Sequence, residues 1–251
     1  MIYLLTYHKV RIGNATGEDS FYTVSADQLM HHIEALKTRG SRNLTINELL
    51  QPSAQPEGKF ILCFDDGTSD HHEVVFPILQ KSECQGVFFV PTSKLNKSGY
   101  MTNAQVRELA TAGHVIGFHS HEHKRLDLSA SDEIRRQVTL SLQIINDITG
   151  TKPLIFAPPG GYINSRIREA TLELGVPAIR TMRWGYNKKL DLTSLETIPI
   201  NRHTSDKKFL NILESDKPSL LYAGKEALKK LVPLRGYELL RNLLFKFMKS
   251  R

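Results

Sequence analysis

The run Phe60-Ile61-Leu62-Cys63-Phe64 is apolar at every position and stops abruptly at Asp65-Asp66-Gly67. A strand with one face in water alternates apolar and polar residues, whereas a strand covered on both faces is continuously apolar. Gly86–Val90 (Gly-Val-Phe-Phe-Val) has the same character. Between such runs lie amphipathic stretches, and that alternation argues for α/β architecture with a mainly parallel sheet. The predicted strands are Ile2–Tyr7, Phe60–Phe64, Gly86–Val90, Val115–Phe118, Leu154–Ala157, Ala178–Thr181 and Thr197–Ile200. The predicted helices begin with Ser25–Arg39, capped by Ser25 and stopped by Gly40, and Glu73–Lys81, kinked or shortened by Pro77. Asn103–Ala112 ends at Gly113, and Ser165–Leu174 is shorter. Ser131–Thr149 is the longest, with Ile134, Val138, Leu142, Ile145 and Ile148 at helical spacing. A chain of 251 residues, 40% hydrophobic, holds one sizeable core and does not require two. Residues 1–215 are therefore read as one barrel-like domain, and 216–251 as a basic amphipathic helical tail.

In such folds the chemistry sits at the carboxyl ends of the strands. His8, Asp65–Asp66, His119–His123 and Pro158–Gly161 each follow a predicted strand. Asp-Asp-Gly alone reads as a tight turn. Two adjacent carboxylates at a buried strand end, however, repel one another and need a cation or strong donors. The cluster His119-Ser120-His121-Glu122-His123 supplies the complement. In a helix or loop His119 and His123 share a side and His121 does not, whereas in an extended strand all three share a face. The helix or loop reading gives two imidazoles plus Asp66, a donor set for one divalent metal with open positions. Asp65 stays free as a base, which is the minimum equipment for metal-assisted hydrolysis. Alone, the cluster also fits a solvated polar turn. No phosphate-binding glycine loop and no serine-nucleophile motif is present. Cys63 and Cys84, both in apolar segments, read as reduced core thiols. His31, His32, His71 and His72 read as surface or supporting residues, and His114 as structural.

Phe64-Asp65-Asp66-Gly67, then Gly113-His114-Val115-Ile116-Gly117-Phe118-His119-Ser120 with His123, then Phe156-Ala157-Pro158-Pro159-Gly160-Gly161, resemble the polysaccharide deacetylase (NodB-homology, carbohydrate esterase 4) family. The likeness runs from residue 1 to about 205. It implies an irregular (β/α) barrel of seven strands and one divalent metal, most often zinc, used to remove acetyl groups from N-acetylated sugars. Cobalt, nickel or manganese suit the same ligands. Carried over by motif, Asp66, His119 and His123 hold the metal and Asp65 is the general base. Pro159 and Gly160 shape the loop whose backbone N–H binds the oxyanion. Many members take their general acid from a late Leu-x-Leu-His strand, which is not evident here. Leu5-Thr6-Tyr7-His8 instead resembles a circularly permuted type with an N-terminal acid, so His8 is expected in that role, with His203 as runner-up. The chain departs from the pattern at Ala157, where arginine is usual, and at Gly160, where an aromatic is usual. Arg180 or Arg183 is expected to replace the arginine beside Asp65, and Trp184 to line the acyl or sugar pocket.

The expected reaction is thus N-deacetylation of an N-acetylhexosamine in a glycan or lipid-linked sugar precursor. The alternatives are hydrolysis of another C–N bond (amide, formamide or cyclic imide) and non-catalytic sugar binding. Residues 225–251 carry eight basic side chains and two acids, and so six of the seven net positive charges. Three readings fit that tail: an apolar face packed on the barrel, an interfacial helix on anionic lipid, or nucleic-acid contact, the last without aromatic or fold support. Met1–His8 reads as a strand rather than a signal peptide, so the expected compartment is the cytoplasm, peripheral at the inner face of the membrane.

Overall fold

The computed structural model describes residues 1–13, 21–51 and 58–215. The tail from 216 onward lies outside the described residues. Its chain order is β1 (Ile2–Tyr7), β2 (Lys9–Arg11), β3 (Thr23–Ser25), α1 (Ala26–Thr38), β4 (Arg42–Asn43), α2 (Ile46–Leu49) and β5 (Lys59–Phe64). Then follow a π-helical turn His71–Val75, α3 (Phe76–Lys81), β6 (Gly86–Val90), α4 (Asn103–Thr111), β7 (Val115–Phe118) and α5 (Ser131–Thr149). The chain continues through β8 (Ile155–Phe156), α6 (Ser165–Glu173), β9 (Ala178–Trp184), β10 (Leu195–Pro199) and α7 (Asp206–Glu214).

β1 pairs with β10 on one side and with β5 on the other, which closes the ring β1-β10-β9-β8-β7-β6-β5 into a seven-stranded parallel barrel. β4 extends the sheet from the start of β5, and β2 and β3 form a separate small ribbon. Because successive strand residues face opposite sides, the barrel builds two cores. Ile2, Leu4, Ile61, Cys63, Val87, Phe89, Ile155, Ala157, Ala178 and Leu195 fill the interior, joined by Leu44, Ile46 and Leu49 around α2. The other parity, including Leu5, Tyr7, Leu62, Phe64, Phe88, Phe118 and Phe156, packs against the helices. Both cysteines are free and buried, and burial pushes the Cys63 thiol up to about 12, so it is a packing group and not a nucleophile. Among the described residues no helix is long and apolar enough to cross a membrane.

The expected elements are found; the short β2, β3, β4 and α2 were not expected, and four further differences have a physical reason. The helix predicted through Pro77 starts as a π-turn, and α3 takes Pro77 in its first turn, where the missing N–H has no helical partner to lose. β9 runs three residues beyond the expected Thr181, across a register shift in its pairing with β10. α7, capped by Ser205, lays Phe209 and Leu213 inward and packs on α1.

The fourth is a correction. His32 is fully buried, because it lies beside Leu29, Ile33 and Leu36 on the inner face of α1. Its Nδ1 lies 3.1 Å from the Tyr7 hydroxyl and its ring stacks on Phe209 at 3.9 Å. Burial lowers His32 to about 4. The unfolded chain therefore binds this proton first, at about 6.5. The stability from neutral His32 is complete above about pH 6.5 and is lost as pH falls toward 4, on the order of 3 kcal/mol. Thermal melts from pH 7 to 4.5 should show that decline, flattened in His32→Gln. An equal slope in the variant would place the effect elsewhere, His114 being next, since burial also lowers it to about 4.

Candidate metal and active site

The interior parity of the barrel strands delivers the site. Cys63 faces inward, so the next residue of that parity is Asp65. In the same way Gly117 is followed by His119, Leu4 and Thr6 by His8, and Ala178 by Arg180. Asp65, His119 and His8 follow the carboxyl ends of their strands, and Arg180, inside β9, meets Asp65 from within the barrel, all by continuing an alternation that the core already requires.

Asp65 is buried and receives a hydrogen bond from the Nη2 of Arg180, itself fully buried. Its other oxygen, Oδ2, lies 3.9 Å from His8 Nε2. Burial alone would raise the Asp65 carboxyl. Arg180, with His119 and His8, outweighs it and holds the group below the usual carboxylate range. The Arg180 guanidinium also stacks over the Phe89 ring at 4.8 Å. β8 pairs Phe156 with Ile179, so Ala157 comes level with Arg180 on the next strand, and the small side chain leaves room for the guanidinium. Of the two arginines, Arg180 of β9 is the one that bonds to Asp65. Arg183 pairs with Glu196 instead.

Asp66 turns the opposite way. Its φ is +79°, and Asp66 Oδ1 lies 3.0 Å from His123 Nε2 and 3.6 Å from His119 Nε2. Five non-glycine residues among those described have positive φ, and three of them, Asp66, Ser120 and His123, sit here. Strain concentrated in two loops marks a geometry fixed by something other than local preference. His119 and His123 converge through a loop, not a helix: left-handed Ser120 and His123 fold the chain back until the rings are 4.8 Å apart. His121 is turned away, with its Nδ1 2.8 Å from Thr92 Oγ1.

These donors fit a divalent metal. One ligand atom each from Asp66, His119 and His123 falls within 4.8 Å of the others. His119 Nδ1 donates to the Ala157 carbonyl at 2.6 Å, which fixes the tautomer and leaves the Nε2 lone pair facing Asp66 and His123. Burial lowers His119 to about 4, so its imidazole is neutral, as a ligand must be.

The loop after β8 begins at Ala157, whose carbonyl accepts from His119. Gly160 and Gly161 both have positive φ, +70° and +73°. A Cβ on Gly160 would meet the Tyr162 ring at 2.9 Å, and one on Gly161 would collide with the backbone of Met182 on β9. Gly161→Ala should therefore displace the Pro159–Gly161 turn, lower kcat by at least about 10-fold and cost roughly 1–3 kcal/mol of stability. Unchanged kinetics would remove this loop from the chemistry. Trp184 is buried in the outer apolar layer, edge-on to Tyr186 at 5.0 Å. His203 is exposed, tilted against Phe21 at 5.6 Å, while His8 is the histidine beside Asp65. Tyr22, stacked on His8 at 4.6 Å, has no signal in the sequence, for it follows a segment without periodicity. His71, read as a surface or supporting residue, is not at the surface: it is fully buried between the Phe64 and Phe88 rings.

A parallel barrel with an Asp-His-His donor set beside a clamped carboxylate defines a hydrolase-type site. The sequence profile of the polysaccharide deacetylase family matches residues 53–179, half the chain, and the protein belongs to that family. Peptidoglycan-N-acetylglucosamine deacetylase PgdA of Listeria monocytogenes is 29% identical over 140 residues, 54% of this chain. The aligned part spans only 28% of that protein's length. YxkH of Bacillus subtilis is 22% identical over 219 residues, covering 85% of this chain and 76% of that one. Among solved structures, the Streptococcus pyogenes deacetylase PplD in complex with acetate superposes with a TM-score of 0.76 at 21% identity, over 86% of this chain and 98% of that one. IcaB from Ammonifex degensii gives 0.76 at 20% identity, over 85% and 97%. These likenesses show the barrel fold.

Proposed function

We propose that this chain removes the N-acetyl group from an N-acetylhexosamine unit of a glycan or lipid-linked sugar precursor. The observation that carries the reading is Asp65, buried between Arg180 and His8 and next in sequence to Asp66, which converges with His119 and His123 into one donor set. Family membership and the acetate complex of PplD support it. Asp66, His119 and His123 would hold a divalent cation, zinc for preference with two imidazoles and one carboxylate, which would supply Lewis acidity to the acetyl carbonyl and the attacking water. Asp65 accepts the proton of that water as its oxygen adds to the carbonyl carbon. A backbone N–H of the Pro159–Gly161 turn donates to the oxyanion. His8 then protonates the nitrogen as the C–N bond breaks, giving acetate and a free amino sugar. Arg180 acts through Asp65, not on the substrate directly.

The test is product analysis with N-acetylglucosamine oligomers, peptidoglycan glycan fragments and a lipid-linked N-acetylhexosamine. Equal amounts of acetate and free amine are expected from zinc-loaded protein, with loss on chelation and recovery on zinc, cobalt, nickel or manganese addition. Formate or a ring-opened product would move the reading to another C–N bond. Saturable sugar binding with no release would leave a binding protein.

A further inference from the structure

Asp70 and His71 are buried polar residues that the reaction above does not use. Both bond to the backbone at and just after His8. Asp70 Oδ2 accepts the Val10 N–H at 2.7 Å, and His71 Nε2 donates to the His8 carbonyl at 2.6 Å. A carbonyl can only accept, so the His71 proton resides on Nε2. The same segment reaches β1 once more, where the Asp65 N–H donates to the Tyr7 carbonyl at 2.9 Å. Tyr7, His8 and Val10 are thus held by residues 65, 71 and 70, one short stretch that also carries the base and one donor of the metal set. Apolar side chains here would leave the Val10 N–H and the His8 carbonyl without these partners. The two bonds therefore tie defined backbone atoms of the acid's segment to the segment that carries the base.

We propose that Asp70 and His71 are positioning residues that set the His8 imidazole against Asp65, so that acid and base move as one unit. The inference rests on the reading of His8 as general acid.

The experiment is a double-mutant cycle on the zinc-loaded full chain. His71→Leu and Asp70→Ala should each lower kcat about 10- to 100-fold, a share of the 10²–10⁴ that a general acid supplies, with KM and bound zinc unchanged. His71→Gln and Asp70→Asn, which keep a donor and an acceptor, should recover most of the loss. In a His8→Ala background the same substitutions should change kcat by less than about twofold, because there is no acid left to position. Multiplicative losses in that background, or loss of zinc, would overturn the proposal in favour of a general structural role. A second readout needs no turnover. His8 stacks on Tyr22, so its ring protons carry a ring-current shift in an NMR spectrum, identified by its absence in His8→Ala. That shift should vanish in His71→Leu and return in His71→Gln. If it persists in both His71→Leu and Asp70→Ala, the proposal fails. If the wild type releases no acetate, the deacetylase reading fails, and the NMR result still decides whether Asp70 and His71 hold His8.

Discussion

Asp65→Asn should lower kcat by about 10²–10⁴ while the protein still binds one metal ion per chain. Asparagine has the shape of the carboxylate and can still accept from Arg180, but it cannot take a proton from water. The metal donors are untouched, because Asp66 faces His119 and His123 from a left-handed backbone while Asp65 continues the strand into the barrel. Adjacent aspartates with divergent side chains therefore predict divergent phenotypes. Asp66→Asn should lose metal, and its activity should return at high metal concentration. Asp65→Asn should keep metal, and no excess should restore it. Metal content per chain, measured beside acetate release, separates them. Loss of metal in Asp65→Asn would exchange the two assignments. A residual rate above about a tenth of wild type would remove Asp65 from proton transfer.

The site was legible because barrel geometry converts sequence parity into position. Once Phe60–Phe64 is read as a buried strand, the residues that follow it must stand at the mouth, and the same holds for His8 and His119. The replacement of the arginine at 157 by Arg180 was legible only as a choice between two arginines. In the barrel Arg180 lies against Asp65, while Arg183 pairs with Glu196. What stayed hidden was polar burial. His32 sits at the right spacing for the inner face of α1, but an imidazole carries no apolar signal, and its partners Tyr7 and Phe209 come from β1 and α7. His71 was hidden for the same reason, since its role depends on a carbonyl more than sixty residues earlier. α7 was missed although Ser205 caps it and Phe209 and Leu213 recur at helical spacing, because its exposed face is polar and its inward pair is short. The convergence of His119 and His123 follows from two left-handed residues, which composition does not announce.

Arg180→Met should be the most destabilising single change at the site. It removes the guanidinium from a fully buried ion pair and leaves the Asp65 carboxylate buried with His119 and His8, the latter at 3.9 Å, as the groups that still favour its charge. Breaking one side of such a pair costs about 3–5 kcal/mol, far more than the pair is worth against an apolar substitute. For a chain of this size that corresponds to a fall in Tm of roughly 10 °C. Methionine fills the volume over Phe89, so little of the loss is a cavity effect. Replacing both residues, Arg180→Met with Asp65→Leu, should therefore recover most of the stability without any activity. Lysine at 180 restores charge without the planar fork that spans Asp65 and Phe89, so it should recover stability in part and kcat less. Thermal melts of the single and double variants test the charge argument directly. If Arg180→Met and the double variant were equally unstable, the guanidinium would act through its packing on Phe89, and the clamp on Asp65 would contribute nothing.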